Sequence, residues 1–265
     1  MMNRISPVVK NLLIINVLLF LATYVADMQF QVNLTRLLAL YYPRSEYFQP
    51  FQFVTHMFMH GGMMHLVFNM YALWLFGTAI ESTWGGQRFL FYYFFTGLGA
   101  AALHTLVNHI VFSGMASEII AFQNTPTPEL FRQFVDSHQA YFNQSVYDFI
   151  NRWSVSPGDS GYIYQALHTM REIYQSAINI PTVGASGAVY GILLAFGMMY
   201  PDTRLMLLIP PIPIKAKWLV VGLAVVALVL GISQTGSRIA HFAHLGGMLF
   251  GYILIRYWIA KARRR

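Results

Sequence analysis

Residues 182–200 read TVGASGAVYGILLAFGMMY, an apolar block rich in small residues and free of charged side chains. A helix that crosses the hydrocarbon of a bilayer needs about 20 mostly apolar residues, and this block has that length. Reading outward from it, the pattern repeats. On the N-terminal side lie Phe89 to Phe112, Met63 to Ile80 and NLLIINVLLFLATYVA at 11–26; on the C-terminal side lie Trp218 to Ile232 and Ile239 to Ala260. None of the six carries Asp or Glu in its interior. The whole chain is 56% hydrophobic and 10% charged, where a soluble domain carries about 25% charged residues. Such a chain cannot cover itself with polar surface in water. The expected fold class is an all-α membrane protein, a single domain over 1–265 with six transmembrane helices near 11–28, 63–81, 89–112, 182–200, 217–233 and 239–260. No repeat divides it into equivalent halves.

The first block also admits a second reading, as a cleaved signal peptide. Arg4 and Lys10 precede it, as either reading requires. Tyr24 and Val25 stand where a cleavage site needs small residues, so an uncleaved span is expected. The net charge of +7 is informative through its placement. Arg88, Arg204, Lys215, Lys217 and the tail Lys261, Arg263, Arg264 and Arg265 all fall on one side of a six-span topology with both termini in the cytoplasm. That is the positive-inside tendency, and the basic tail can also touch anionic lipid. Nucleic acid is not expected as a partner, because no polar domain gathers the basic residues. Cysteine is absent, which excludes disulfides and thiol chemistry without fixing a compartment.

Two polar stretches interrupt the blocks. Residues 27–54 carry Pro43, Pro50 and several aromatics, and are expected to face outward and pack into the interface. Residues 113–181 form a long outward-facing extramembrane insertion between spans 3 and 4, expected as helical pieces broken at PTP (126–128) and SPGDSG (156–161). It reads either as a lid or substrate-docking surface, or as a loop that merely packs on top. At this length it should have structure of its own or be partly mobile.

Three segments carry possible chemistry. In VGASGAVYG, Ser186 lies between Gly184 and Gly187 near the outer end of its span. Glycines let neighbouring backbones approach and leave room for a carbonyl over Ser186; a packing serine in a small-residue seam is the plainer alternative. In AHFAHLGGMLFG, His244 precedes Gly247 by three residues, and Gly247 and Gly251 are four apart. A histidine inside a span faces protein or a water-filled cavity, and it is the base that makes a serine nucleophilic. Ser186 and His244 both lie near the outer starts of their spans, so they can share a depth. In HGGMMHLVFN, His65 and Asn69 are four apart on one helical face. Two donors on one face suit a developing oxyanion; interhelical hydrogen bonding and a satisfied core histidine are the alternatives. His56, His60 and His65 cluster, but no carboxylate or cysteine joins them and no H-E-x-x-H pattern occurs. Neither a metal nor a cofactor is expected.

Taken together, these segments resemble the rhomboid family of intramembrane serine proteases. GASG (184–187) resembles its G-x-S-G nucleophile motif, AHLGGMLFG (243–251) its A-H-x-x-G-x-x-x-G helix, and HGGMMHLVFN (60–69) its H-x-x-x-x-H-x-x-x-N segment. The resemblance runs from about residue 52 to 260 in the family's order. It implies a rhomboid-like six-helix bundle with a Ser-His dyad opening outward. Ser186 would be nucleophile and His244 general base and then acid, with His65, Asn69 and the Ser186 N–H holding the oxyanion. Tyr190 would match the aromatic on which the histidine stacks, and Glu81 a structural acidic residue. Two departures stand out. Phe51-Gln52 replaces the family's common Trp-Arg, and the 113–181 insertion exceeds the usual connection.

The resemblance implies hydrolysis of peptide bonds in transmembrane protein substrates within the lipid bilayer, and the compact six-span architecture fits a bacterial inner membrane best. Two rivals remain from other classes. A catalytically dead relative acting as a binding factor should have lost the serine or the histidine, and both are present. A proton-relaying transporter should show inverted repeats or broken spans with carboxylates, and neither is visible.

Overall fold

The structure is a computed structural model, and it describes residues 5–206, 211–232 and 238–264, with the backbone alone over 238–240. Arg4, Arg265, the end of the fifth expected span at residue 233 and the first side chains of the sixth lie outside the described residues.

Helix α1 spans Pro7–Phe30. It starts at a proline, whose missing N–H costs nothing in a first turn. The free N–H groups of that turn find their acceptor far away in sequence. Glu81, itself buried, accepts from the Ser6 hydroxyl at 2.5 Å, from Val8 N–H at 3.0 Å and from Val9 N–H at 2.9 Å. The carboxylate satisfies donors that no intrahelical partner reaches, and its charge complements the positive end of the helix dipole. Glu81→Ala removes the acceptor from three donors at once. We expect it to cost about 2–3 kcal/mol, read as a lower unfolding temperature in detergent, with Glu81→Gln closer to wild type. An unchanged melting curve for Glu81→Ala would contradict this role.

The chain continues through α2 (Leu34–Leu38), α3 (Gln52–Thr55), α4 (Met63–Ala72) and α5 (Thr78–Trp84). A π turn at Leu73–Gly77 joins the last two into one rod. A Cβ on Gly77 would come within 3.0 Å of Val9 and 3.3 Å of Phe89, so glycine lets α1 and the next helix close on this rod. That next helix, α6, runs over Gly86–Asn124, well past the expected exit at residue 112. Next come α7 (Pro128–Ser137), α8 (Ser145–Val155) and α9 (Ser160–Ile178), then α10 (Ser186–Met199). Strands β1 (Arg204–Met206) and β2 (Pro213–Lys215) pair antiparallel, Leu205 opposite Ile214, before α11 (Ala216–Ile232) and α12 (Arg238–Arg263).

Among the described residues, four helices are long and apolar enough to cross a membrane: Pro7–Phe30, Met63–Trp84, Gly86–Asn124 and His241–Arg263. The other two expected spans are shorter apolar helices, α10 and α11. Residues 182–185 are not helical, so α10 covers roughly 21 Å, less than the hydrocarbon thickness of about 30 Å. Large apolar side chains stand exposed on three of these helices: Leu18 at 58%, Phe91 at 56% and Val229 at 55%. Water would not tolerate such faces, and lipid does. The protein is a multi-pass integral membrane protein.

The chain divides into two compact units. The first comprises 1–41, 47–106 and 181–265. Its core holds Val9, Leu73, Ile80, Phe89, Tyr92 and Ile192, all fully buried. The second comprises 42–46 and 107–180. Trp153 is fully buried there; Phe122 meets it edge to face and Phe131 at a tilt, at centroid separations of 6.0 and 6.3 Å. Thr127 caps α7 by accepting from Leu130 N–H, with Pro128 in the first turn, and Asp159 caps α9 through Gly161 N–H at 2.7 Å. These are the two places, PTP and SPGDSG, where the sequence breaks its helical pieces. Tyr42 pairs with His109 at 3.0 Å and Ser45 with Asn179 at 2.6 Å, fastening 42–46 to this unit.

Candidate active site

The approach to Ser186 is an extended strand of backbone held on both sides. Leu40 and Thr182 exchange two backbone hydrogen bonds of 2.8 and 2.9 Å. The Thr182 hydroxyl shares a third, 2.8 Å, with His104 Nε2. Gly184 N–H donates to the His56 carbonyl at 2.9 Å. Gly184 has φ +123°, in the region that favours glycine. A Cβ there would also come within 2.8 Å of the His65 ring. Glycine is required at 184 for both reasons, and the turn it makes delivers Ser186 as the first residue of α10. Its N–H therefore has no acceptor within the helix and lies at the positive end of the helix dipole.

The Ser186 hydroxyl lies 2.9 Å from His244 Nε2, on α12. Two features hold the pair. Tyr190, one turn after Ser186 on the same face, stacks on the His244 ring with centroids 4.0 Å apart and planes 3° from parallel. The backbones of α10 and α12 meet where Gly247 faces Gly187, and a Cβ on Gly247 would overlap the Gly187 carbonyl. On the other flank, a Cβ on Gly187 would come within 2.5 Å of Ala100 of α6, and one on Gly246 within 2.9 Å of the same residue. Small residues thus bring three helices to backbone contact beside the pair.

His65 and Asn69 enter on α4. The His65 Nδ1 accepts a long 3.4 Å hydrogen bond from Gly61 N–H, which leaves Nε2 as the ring's donor. That Nε2 flanks Gly184, 2.9 Å from where a Cβ would stand, and the Ser186 hydroxyl lies 3.6 Å from the same point. Asn69 is buried one turn on and donates one amide hydrogen to the His65 carbonyl at 2.9 Å. Its second amide hydrogen is left over. The structure thus brings Ser186, His244 and Tyr190 into direct contact, sets His65 beside Gly184, and, among the described residues, gives Asn69 a hydrogen bond only to its own helix.

A Rhomboid domain family profile matches residues 47–125 and 154–261, which include every one of these side chains. The chain belongs to the rhomboid family. Two relatives share shorter stretches with it. Rhomboid protein 1, mitochondrial, of Saccharomyces cerevisiae is 33% identical over 86 residues, 32% of this chain and 24% of its own length. Rhomboid-like protein 11, chloroplastic, of Arabidopsis thaliana is 36% identical over 91 residues, 34% of this chain and 31% of its own. The alignments with these curated relatives thus span about a quarter to a third of their length. The break in the rhomboid match, 126–153, holds α7 and most of α8.

In this rhomboid, the pair Phe51-Gln52 does not leave the first loop loose. Gln52 is fully buried, and its amide ties four backbone groups of that loop. Nε2 donates to the Leu37 and Tyr47 carbonyls at 3.1 and 2.9 Å, and Oε1 accepts from Tyr41 and Gln49 N–H at 3.3 and 3.1 Å. The Gln52 carbonyl then accepts from His56 Nδ1 at 2.8 Å, and the His56 carbonyl holds Gly184. A relay of loop, His56 and Gly184 therefore positions Ser186. In the sequence, His56 stands out only as a member of the His56, His60 and His65 cluster. His60 meets His65 edge to face at 5.2 Å. The only local signal for this relay was a buried-type polar residue, Gln52, between Phe51 and Phe53.

Proposed function

We propose that this rhomboid is an intramembrane serine endopeptidase that cleaves transmembrane protein substrates through a Ser186–His244 dyad. The single observation that carries the reading is the 2.9 Å contact between the Ser186 hydroxyl and His244 Nε2, with the ring held flat against Tyr190. In a Ser-His-Asp triad the acid orients the imidazole; here stacking on Tyr190 serves that purpose. Ser186 attacks a substrate carbonyl while His244 takes its proton. The oxyanion that forms is met by the Ser186 N–H at the start of α10, by the His65 Nε2–H and by the free amide hydrogen of Asn69. The C–N bond then breaks, and His244 returns the proton to the leaving amine. Water attacks the ester carbonyl, His244 takes the water's proton, and the released serine regains a proton as the new carboxyl end departs. A substrate helix must unwind locally, because its peptide bonds are otherwise hydrogen-bonded and shielded. No metal or organic cofactor enters any step.

The reading uses six spans, α1, the α4–α5 rod, α6, α10, α11 and α12, with both termini on one side. Arg204, Lys215, Lys217, Lys261, Arg263 and Arg264 support that side as the cytoplasmic one. The names of the two relatives place those proteins in mitochondria and chloroplasts, and lend no support to a bacterial inner membrane for this chain.

Asn69→Ala is expected to lower the cleavage rate roughly 10²- to 10³-fold, the cost of one oxyanion donor, while leaving Ser186 reactive. Loss confined to KM would contradict an oxyanion role. The protease reading itself is tested by a fluorophosphonate probe on the detergent-solubilised protein. Covalent labelling of wild type, absent in Ser186→Ala and strongly reduced in His244→Ala, is the expected result. Equal labelling of Ser186→Ala and wild type would sink the assignment.

A further inference from the structure

A cleft in the first unit lies at the opposite end of α10 from Ser186. Its volume is about 590 Å³, within the usual range for a small-molecule site. It runs between the C-terminal halves of the α4–α5 rod and of α10, and both walls change character in the same direction. On the rod, Trp74 and Leu75 give way to Ser82 and Thr83; on the other wall, Phe196 of α10 gives way to Tyr200 just past the helix end and then to Thr203 and Arg204. Thr83 and Tyr200 close the two walls together through a 2.6 Å hydrogen bond. From Leu75 to Thr83 is about 12 Å along a helix, so the apolar floor lies well below the polar mouth.

The charge at the mouth is unbalanced. Asp202 is held by Lys217 at 2.9 Å and Lys215 at 3.0 Å. These two hydrogen bonds push its carboxyl below the ordinary range, so it stays ionised and spent on the lysines. Arg204 makes no ion pair among the described residues. Three cations, one of them the exposed Arg204 guanidinium, thus meet one anion at a depth where membrane spans end.

We propose that this cleft binds one anionic glycerophospholipid, its phosphate on Arg204 and the hydroxyls of the mouth, and an acyl chain along Trp74, Leu75 and Phe196. The matched polarity of the two walls and the uncompensated Arg204 are what a single amphiphile with a charged head requires; a free anion would use the mouth alone. The site is independent of the chemistry at Ser186 and is read by binding, so its failure would leave the protease reading intact.

The test is native mass spectrometry of the full chain in detergent, titrated with phosphatidylglycerol, with phosphatidylcholine and with inorganic phosphate. Basic groups elsewhere, such as Arg263 and Arg264, also attract anionic lipid, so the readout is the change on substitution. Arg204→Ala and Ala79→Phe, the latter filling the cleft wall, should each weaken one phosphatidylglycerol site, by about fivefold for the lost charge. The double variant should lose no further site, and Arg204→Lys should retain binding. Equal retention of phosphatidylglycerol by wild type, Arg204→Ala and Ala79→Phe would overturn the proposal. So would equal binding of phosphatidylcholine at the same site, or loss on Arg204→Ala but not on Ala79→Phe with inorganic phosphate competing fully, which marks a bare anion site.

Discussion

His244→Ala should reduce cleavage of a transmembrane substrate by roughly 10⁴-fold or more, with substrate binding nearly unchanged. The imidazole is the partner of the Ser186 hydroxyl at 2.9 Å, and without it the serine proton has nowhere to go. Ser186→Ala should cost as much. The two residues act as a unit, so the double variant should fall no further than either single one. Additive losses would mean that each residue acts alone. Tyr190 supplies a graded comparison. Tyr190→Phe keeps a ring against His244 and should stay near wild type, whereas Tyr190→Ala frees the imidazole and should lower kcat. If Tyr190→Phe and Tyr190→Ala were equally impaired, the phenol would matter and stacking would not.

Gly247→Val should abolish activity by a different route. A Cβ at 247 would overlap the Gly187 carbonyl, a backbone atom that cannot rotate away as a side chain can. The helices α10 and α12 must separate to admit it, and that separation pulls His244 from Ser186. Overpacking costs typically 1–3 kcal/mol, and here backbone meets backbone. We expect a lower unfolding temperature together with lost cleavage, with Gly247→Ala intermediate. Gly222, in α11, is the control: a Cβ there meets nothing within 4 Å, so Gly222→Ala should melt at or above the wild-type temperature. A Gly247→Val variant with wild-type melting and activity would contradict the packing described.

Much of the site was legible because membrane helices make spacing meaningful. Ser186 and His244 could be paired from their positions near the starts of two spans, whereas Tyr190 entered only through the family resemblance. The glycines at 187 and 247 could be read as a seam, although their meeting each other across it could not. Less legible was where helices begin and end. Hydropathy marks where a chain leaves the apolar layer, and that is not where a helix stops. In α6, polar residues after Phe112 such as Ser113 and Glu118 leave the layer's composition but remain good enough helix residues, and the rod continues to Asn124, just before the PTP break. At 182–185 the opposite holds. The segment is apolar enough for a span, but pairing with Leu40 and the positive φ of Gly184 keep it extended. That difference has consequences for the chemistry, since it makes Ser186 the first helical residue and frees its N–H. The Gln52–His56–Gly184 relay was illegible because each link is a backbone carbonyl or amide, and sequence does not reveal which of those are paired.

The most direct measurement is cleavage of a model transmembrane substrate by the purified protein in liposomes, wild type beside Ser186→Ala. The account predicts two product fragments with wild type and intact substrate with Ser186→Ala at equal protein concentration. Equal fragments from both would contradict the dyad and, with it, the assignment of this chain as a serine protease.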